Sequence, residues 1–158
     1  MTTPIVRFIE DRITADEQRA QAAAQQSSPN WWVDDDKHSA HIWGGEKIPA
    51  DPEWAMPAIG EHTIVYDEGC PDRAEAVHIA ANDPADTLNR CAVYRRLLAE
   101  ELANRVSLDG EYCACFEADV LTGRCDRFTP EKSRTLHALA SIWRDHPDFR
   151  PEWAIPKD

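Results

Sequence analysis

Cys113, Cys115 and Cys125 are the residues of this chain whose type and spacing most suggest chemistry. On an extended stretch, side chains two apart project to the same side, so Cys113 and Cys115 can reach one ion together. A turn at Thr122-Gly123 can bring Cys125 back to them. Three thiolates and one imidazole complete a tetrahedral zinc site, and the candidates for the fourth place are His78, His137 and Cys91. A site closed by four protein ligands is structural, because it leaves no position for a substrate water. A hairpin with free thiols, or a single Cys115–Cys125 disulfide, accounts for the same residues without a metal.

The remaining reactive residue types have plainer readings. Asp34, Asp35, Asp36, His38 and His41 can bind a hard or borderline cation, but adjacent aspartates usually make a solvated turn. His146 before Pro147 and Asp148 reads as a tail clamp that caps the carbonyls of the last helix. Cys70 before Pro71 reads as a turn residue. Arg90, Arg95 and Arg96 form a basic patch expected to pair with Glu100 and Glu101. No P-loop, dinucleotide fingerprint, Gly-x-Ser-x-Gly elbow or His-Glu-x-x-His helix occurs in the sequence. Six tryptophans are many for 158 residues, and Trp31, Trp32, Trp43 and Trp54 crowd one segment. They serve either as core filler or as anchors for a partner protein, with Asp34 to Asp36 on the polar rim of the patch.

The elements that must position these residues follow from pattern. Pro4 opens a first helix over 4–26 with Ile5, Phe8, Ile9, Ile13, Ala20 and Ala24 along one seam. The segment 27–70 is rich in tryptophan and proline and partly irregular. Its runs His41-Ile42-Trp43 and Thr63-Ile64-Val65-Tyr66 have strand composition, with Gly44-Gly45 suited to a turn between strands. A short helix over 73–82 leads into a long central helix that starts at Asp83, a capping carboxylate followed by a proline. Leu88, Cys91, Arg95, Leu98 and Leu102 share its stripe, widened by Val93 and Leu97. Asp109-Gly110 is a turn, 111–128 a cysteine-bearing loop or hairpin, and Thr129-Pro130 starts a last helix with Leu136, Leu139, Ala140 and Trp143. The tail 145–158 is extended and pinned by Phe149 and Trp153. The expectation is one α+β domain over 1–158, with about four helices and a small antiparallel sheet within 31–67.

Composition bounds the function. Seventeen Lys and Arg against 29 Asp and Glu give a formal net charge of -12, which argues against sequence-independent nucleic-acid binding. No stretch approaches the length of a membrane span. Charges inside the apolar part of the N-terminus do not fit a secretory signal, and five cysteines without one read as reduced thiols or ligands, so a cytoplasmic location is expected. A small non-catalytic accessory or regulatory protein that binds a host or other partner protein fits best. Homodimerisation through the same tryptophan patch competes with it. An acidic DNA mimic and a metal-dependent hydrolase are the alternatives.

Two stretches carry a resemblance. The lead-in His-Ile-Ala-x-x-Asp-Pro from His78 with its arginine-rich helix, and Leu136 to Trp153 with Asp-His-Pro-Asp-Phe, resemble an uncharacterised family, a domain of unknown function common in actinobacteria and their phages. The resemblance implies a phage or actinobacterial setting and brings no activity. It also favours His78 as the fourth zinc ligand, because His78 begins the marked lead-in.

Overall fold

The computed structural model describes residues 2–34, 40–51, 53, 58–65, 71–107 and 109–155. The architecture is α+β, with helices α1 (Pro4–Gln26), α2 (Arg73–Ala80), α3 (Pro84–Asn104), α4 (Glu117–Leu121) and α5 (Arg134–Ala140). Strands β1 (Trp31–Val33), β2 (Ile42–Ile48) and β3 (Ile59–Thr63) form an antiparallel meander in the order β1-β2-β3. Contacts divide the chain into two compact units, residues 1–15 with 91–158, and residues 16–90.

The first unit holds the larger core. Ile5, Val6, Phe8, Ile9 and Ile13 of α1 pack with Cys91, Leu98 and Leu102 of α3, with Leu136, Leu139 and Ala140 of α5, and with Trp153. The helical spacing of these residues made that seam legible, with one correction on α3. Val93 and Leu97 stand 55% and 42% exposed, so the buried stripe is narrower than expected. The start of α1 is capped from a distance. Its Ile5 amide donates to Glu131 Oε1 at 2.8 Å, which places a carboxylate at the positive end of the helix dipole. The other oxygen, Oε2, accepts from Trp153 Nε1 at 2.9 Å, so Glu131 also fastens the tail. Phe149 joins that cluster, and Phe8 lies 5.1 Å from the Trp153 ring centroid.

In this unit the last helix begins at Ser133, whose hydroxyl accepts from the Leu136 amide at 3.1 Å. Thr129-Pro130 starts only a 3-10 turn over Pro130–Lys132. His146 contacts the Arg12 guanidinium and packs edge-on to Phe8 rather than capping helix carbonyls. Arg96 pairs with Glu100 at 2.7 Å as expected, whereas Glu101 accepts from the Ser133 hydroxyl at 2.6 Å and Arg95 donates to Thr14.

The second unit is built on the sheet. Ala40, Ile42 and Ala76 form its buried centre, flanked by Trp31, Val33, Ile64, Val65, Ile79 and Ala80. Asp83 caps α3 as expected, since Oδ1 accepts from the Asp86 amide at 2.7 Å, and Oδ2 accepts from the Trp31 amide at 3.2 Å. One carboxylate therefore ties β1 to the start of the central helix. Asp72 begins α2 with a capping box completed by Glu75.

Gly44-Gly45 is not a turn. Both residues lie inside β2, where Gly44 pairs with Trp31 on one side and His62 on the other. Between Gly44 and Lys47 the register slips by one residue against β3, and Gly45 takes a φ of +87°. The glycines serve a bulge and a close approach instead: a Cβ on Gly44 would lie 2.9 Å from Ile64 Cδ1. Strand β3 runs over Ile59–Thr63, ahead of the run expected from composition, and Ile64 and Val65 pack partly buried against the core of this unit.

Candidate metal centre

Two turns bring the three cysteines together within the first unit. Val106 bridges Tyr112 across a loop that reverses at Asp109-Gly110, where Gly110 has a φ of +82°. The Cys113 amide then donates to the Arg105 carbonyl at 2.8 Å, which fixes the backbone of the first thiol. Between Cys115 and Cys125 the chain forms α4 rather than the second strand of a hairpin. Thr122 ends that helix and Gly123 follows at a φ of +69°, the left-handed turn that a glycine accepts without a Cβ penalty. The Arg124 and Cys125 amides both donate to the Asp119 carbonyl, so the expected Thr122-Gly123 turn does return Cys125.

The result is a tight sulfur cluster. Cys113 Sγ lies 2.9 Å from Cys125 Sγ, and Cys125 Sγ lies 3.3 Å from Cys115 Sγ. All three sulfurs fall within 4.8 Å of one another and can hold a metal ion. Cys113 and Cys125 are buried and Cys115 is half-buried. A tetrahedral zinc with bonds of about 2.3 Å needs sulfur–sulfur edges of about 3.8 Å, so the two closest pairs must open by roughly 0.5 to 0.9 Å. That is within the reach of side-chain rotation. The Phe128 amide donates to Cys125 Sγ at 3.1 Å, an N–H···S bond of the kind that steadies a metal-bound thiolate.

Electrostatics already favours charge on one sulfur. Hydrogen bonding from Cys125, and then from Cys115, holds the Cys113 thiol below its usual range. Hydrogen bonding to Cys113 and Cys125, together with burial, pushes Cys115 up to about 12. Within the cluster, charge is therefore favoured on Cys113 over Cys115.

Among the described residues the clustered group is these three cysteines alone, so none of the candidates for the fourth place is part of it. His78 is exposed on α2 in the second unit. His137 Nε2 lies 2.8 Å from the Glu131 carbonyl, and Cys91 is buried in the helical core. Trp31, Trp32 and Trp43 are half-buried in the sheet of the second unit. The ring N–H of Trp31 donates to the Ser28 carbonyl and that of Trp32 to the Gly45 carbonyl, while Lys47 Nζ sits 5.2 Å over the Trp32 ring. Trp54, Asp35, Asp36, His38 and Cys70 lie outside the described residues. Asp34 is not part of a solvated turn: it is 8% exposed and its Oδ2 lies 2.9 Å from His41 Nδ1.

A family model for a family of unknown function (DUF6221) matches residues 2–155. The chain belongs to that family. No curated protein and no solved structure matches it. Membership in DUF6221 covers both units, so the cysteine loop and the tryptophan-bearing sheet lie within the same matched span. Among the described residues, no helix is long and apolar enough to cross a membrane.

Sequence reasoning missed two features of this DUF6221 loop. Tyr112 and Phe116 are 65% and 81% exposed, each next to a cysteine of the cluster. Their positions beside Cys113 and Cys115 were visible in the sequence, but their exposure is a tertiary property that residue spacing does not announce. The Phe128 amide donor is a backbone group, and no residue type signals it.

Proposed function

We propose that this chain is a small non-catalytic accessory protein that binds a partner protein, with one structural zinc ion stapling its cysteine loop. The observation that carries this reading is the loop itself. Three converging sulfurs lie beneath a segment that displays Tyr112 and Phe116 to solvent. A segment with so little regular structure needs a staple to hold two aromatic rings in fixed positions, and exposed aromatic rings are typical anchors of protein interfaces. The half-buried Trp32 and Trp43 of the sheet offer a second, flatter surface of the same chemistry, their centroids 6.3 Å apart. The family resemblance favours an actinobacterial or phage setting, and cysteines read as reduced thiols or ligands favour the cytoplasm.

The charge of the site weighs against the hydrolase alternative. Three thiolates blunt the Lewis acidity of a bound zinc, and the described cluster brings no carboxylate or imidazole beside it to act as general acid or base. Arginines interleaved with the acids weigh against the DNA mimic. Arg90 pairs with Asp86 at 2.8 Å, Arg96 with Glu100, and Arg127 with Glu111 at 3.2 Å, which breaks up rows of carboxylates.

The test is affinity capture from an actinobacterial lysate with wild type beside two variants. One carries Tyr112→Ala with Phe116→Ala, and the other Trp32→Ala with Trp43→Ala. Capture of a protein by wild type and its loss from the first variant, at unchanged zinc content, supports docking through the loop. Retention by the first and loss from the second moves the interface to the sheet. Capture of a second copy of the chain alone makes the surface a homodimer interface, and capture of nothing removes the proposal.

A further inference from the structure

We propose that the metal centre is gated by oxidation: a peroxide joins Cys113 to Cys125 as a disulfide, and the metal leaves. The inference rests on the zinc reading above and deepens it. Its basis is geometric. Of the sulfur pairs in the cluster, Cys113 and Cys125 lie 2.9 Å apart, closer than Cys125 and Cys115 at 3.3 Å. Both backbones are anchored, Cys113 through its amide to Arg105 and Cys125 through its amide to Asp119. The anchored backbones keep the two sulfurs within reach of each other even after side-chain rotation opens the pair to admit an ion. Cys115 is the half-buried member and forms the rim of the cluster, the side from which a molecule as small as hydrogen peroxide can enter.

The step balances as follows. One thiolate of the pair attacks a peroxide oxygen, the O–O bond breaks, and a sulfenic acid forms while the departing hydroxide takes a proton from solvent. The second thiolate then attacks the sulfenic sulfur, the S–O bond breaks, and the second hydroxide leaves as water after taking another proton. Two electrons pass from the two thiolates to the peroxide, which becomes two waters. Loss of two of the three thiolate ligands releases the ion, because its affinity comes from their combined charge. The Cys115 thiolate then takes up a proton and stays a free thiol. The loop is not set loose, since a covalent bond between residues 113 and 125 replaces the metal staple across the same span. What changes is the anchoring of Cys115, and with it the position of the exposed Phe116 ring beside it. The oxidised protein keeps its fold and presents a different aromatic surface.

The experiment uses the full, reduced, zinc-loaded chain. Hydrogen peroxide is added in stoichiometric amounts beside a chromogenic zinc chelator, the remaining thiols are alkylated, and fragment mass spectra locate the tags. The expected result is release of about one equivalent of zinc per equivalent of peroxide, with loss of two hydrogens and a tag on Cys115 but on neither Cys113 nor Cys125. Cys115→Ser is expected to lose two hydrogens as well, whether or not it still holds zinc. A tag on Cys113, which would mean a Cys115–Cys125 bond, overturns the inference, as does zinc that stays bound through the treatment. Either of those results leaves the zinc reading standing. A reduced chain that takes up no zinc before peroxide is added overturns both.

Discussion

Glu131 shows how much one side chain can organise. Its carboxylate accepts from the Ile5 amide at the start of α1 and from Trp153 Nε1 in the tail, while its carbonyl lies 2.8 Å from His137 Nε2. Glu131→Ala leaves a helix-start amide and an indole N–H without their acceptor, and is expected to destabilise the chain by about 2–4 kcal/mol. Glu131→Gln keeps one carbonyl oxygen but sets an NH2 against a donor, so it should recover only part of that loss. Urea denaturation of the three proteins measures this, and a Glu131→Ala midpoint equal to wild type would remove Glu131 from the role. None of this could be read from sequence, because the partners lie 126 and 22 residues away. The cysteines were legible for the opposite reason: Cys-x-Cys and a glycine turn state their convergence locally. Cys113→Ser and Cys125→Ser should each lower stability about as much as a chelator does, and adding chelator to either variant should lower it little further. Additive losses would mean that the thiols stabilise by packing alone.

At the scale of elements, the long helices were readable because each announces its own start. Pro4 and the Asp83-Pro84 pair are local signals, and α1 and α3 begin where those residues stand. Asp83 also bonds the Trp31 amide, so Asp83→Ala should cost about 1–2 kcal/mol, and Asp83→Asn much less, by thermal unfolding. Equal effects of the two substitutions would show that the negative charge, not the acceptor geometry, is what matters. The sheet was harder to place. A glycine pair normally marks a reversal, and only the tertiary crowding around Gly44 and Gly60 shows that the pair belongs to a bulged strand. A Cβ on Gly60 would lie 2.6 Å from the Trp43 Cβ, so Gly60→Ala should destabilise by about 1–3 kcal/mol and shift tryptophan emission. An alanine variant with wild-type stability and emission would place β3 elsewhere. Helix α4 escaped notice because five residues between two cysteines are too few for a periodic pattern.

The whole molecule comprises a helical unit that carries the cysteine cluster and a sheet-bearing unit rich in tryptophan, both inside one family of unknown function. The central claim is the zinc staple, since the fixed aromatic loop and its oxidation both depend on it. The most direct measurement is the metal content of the reduced, untagged chain, read beside its thermal unfolding with and without a strong chelator. The account predicts about one zinc per chain, and a loss of at least about 3 kcal/mol of stability when the chelator removes it. A chain that carries no zinc after reduction and reconstitution, and unfolds at the same temperature with chelator as without, would contradict it.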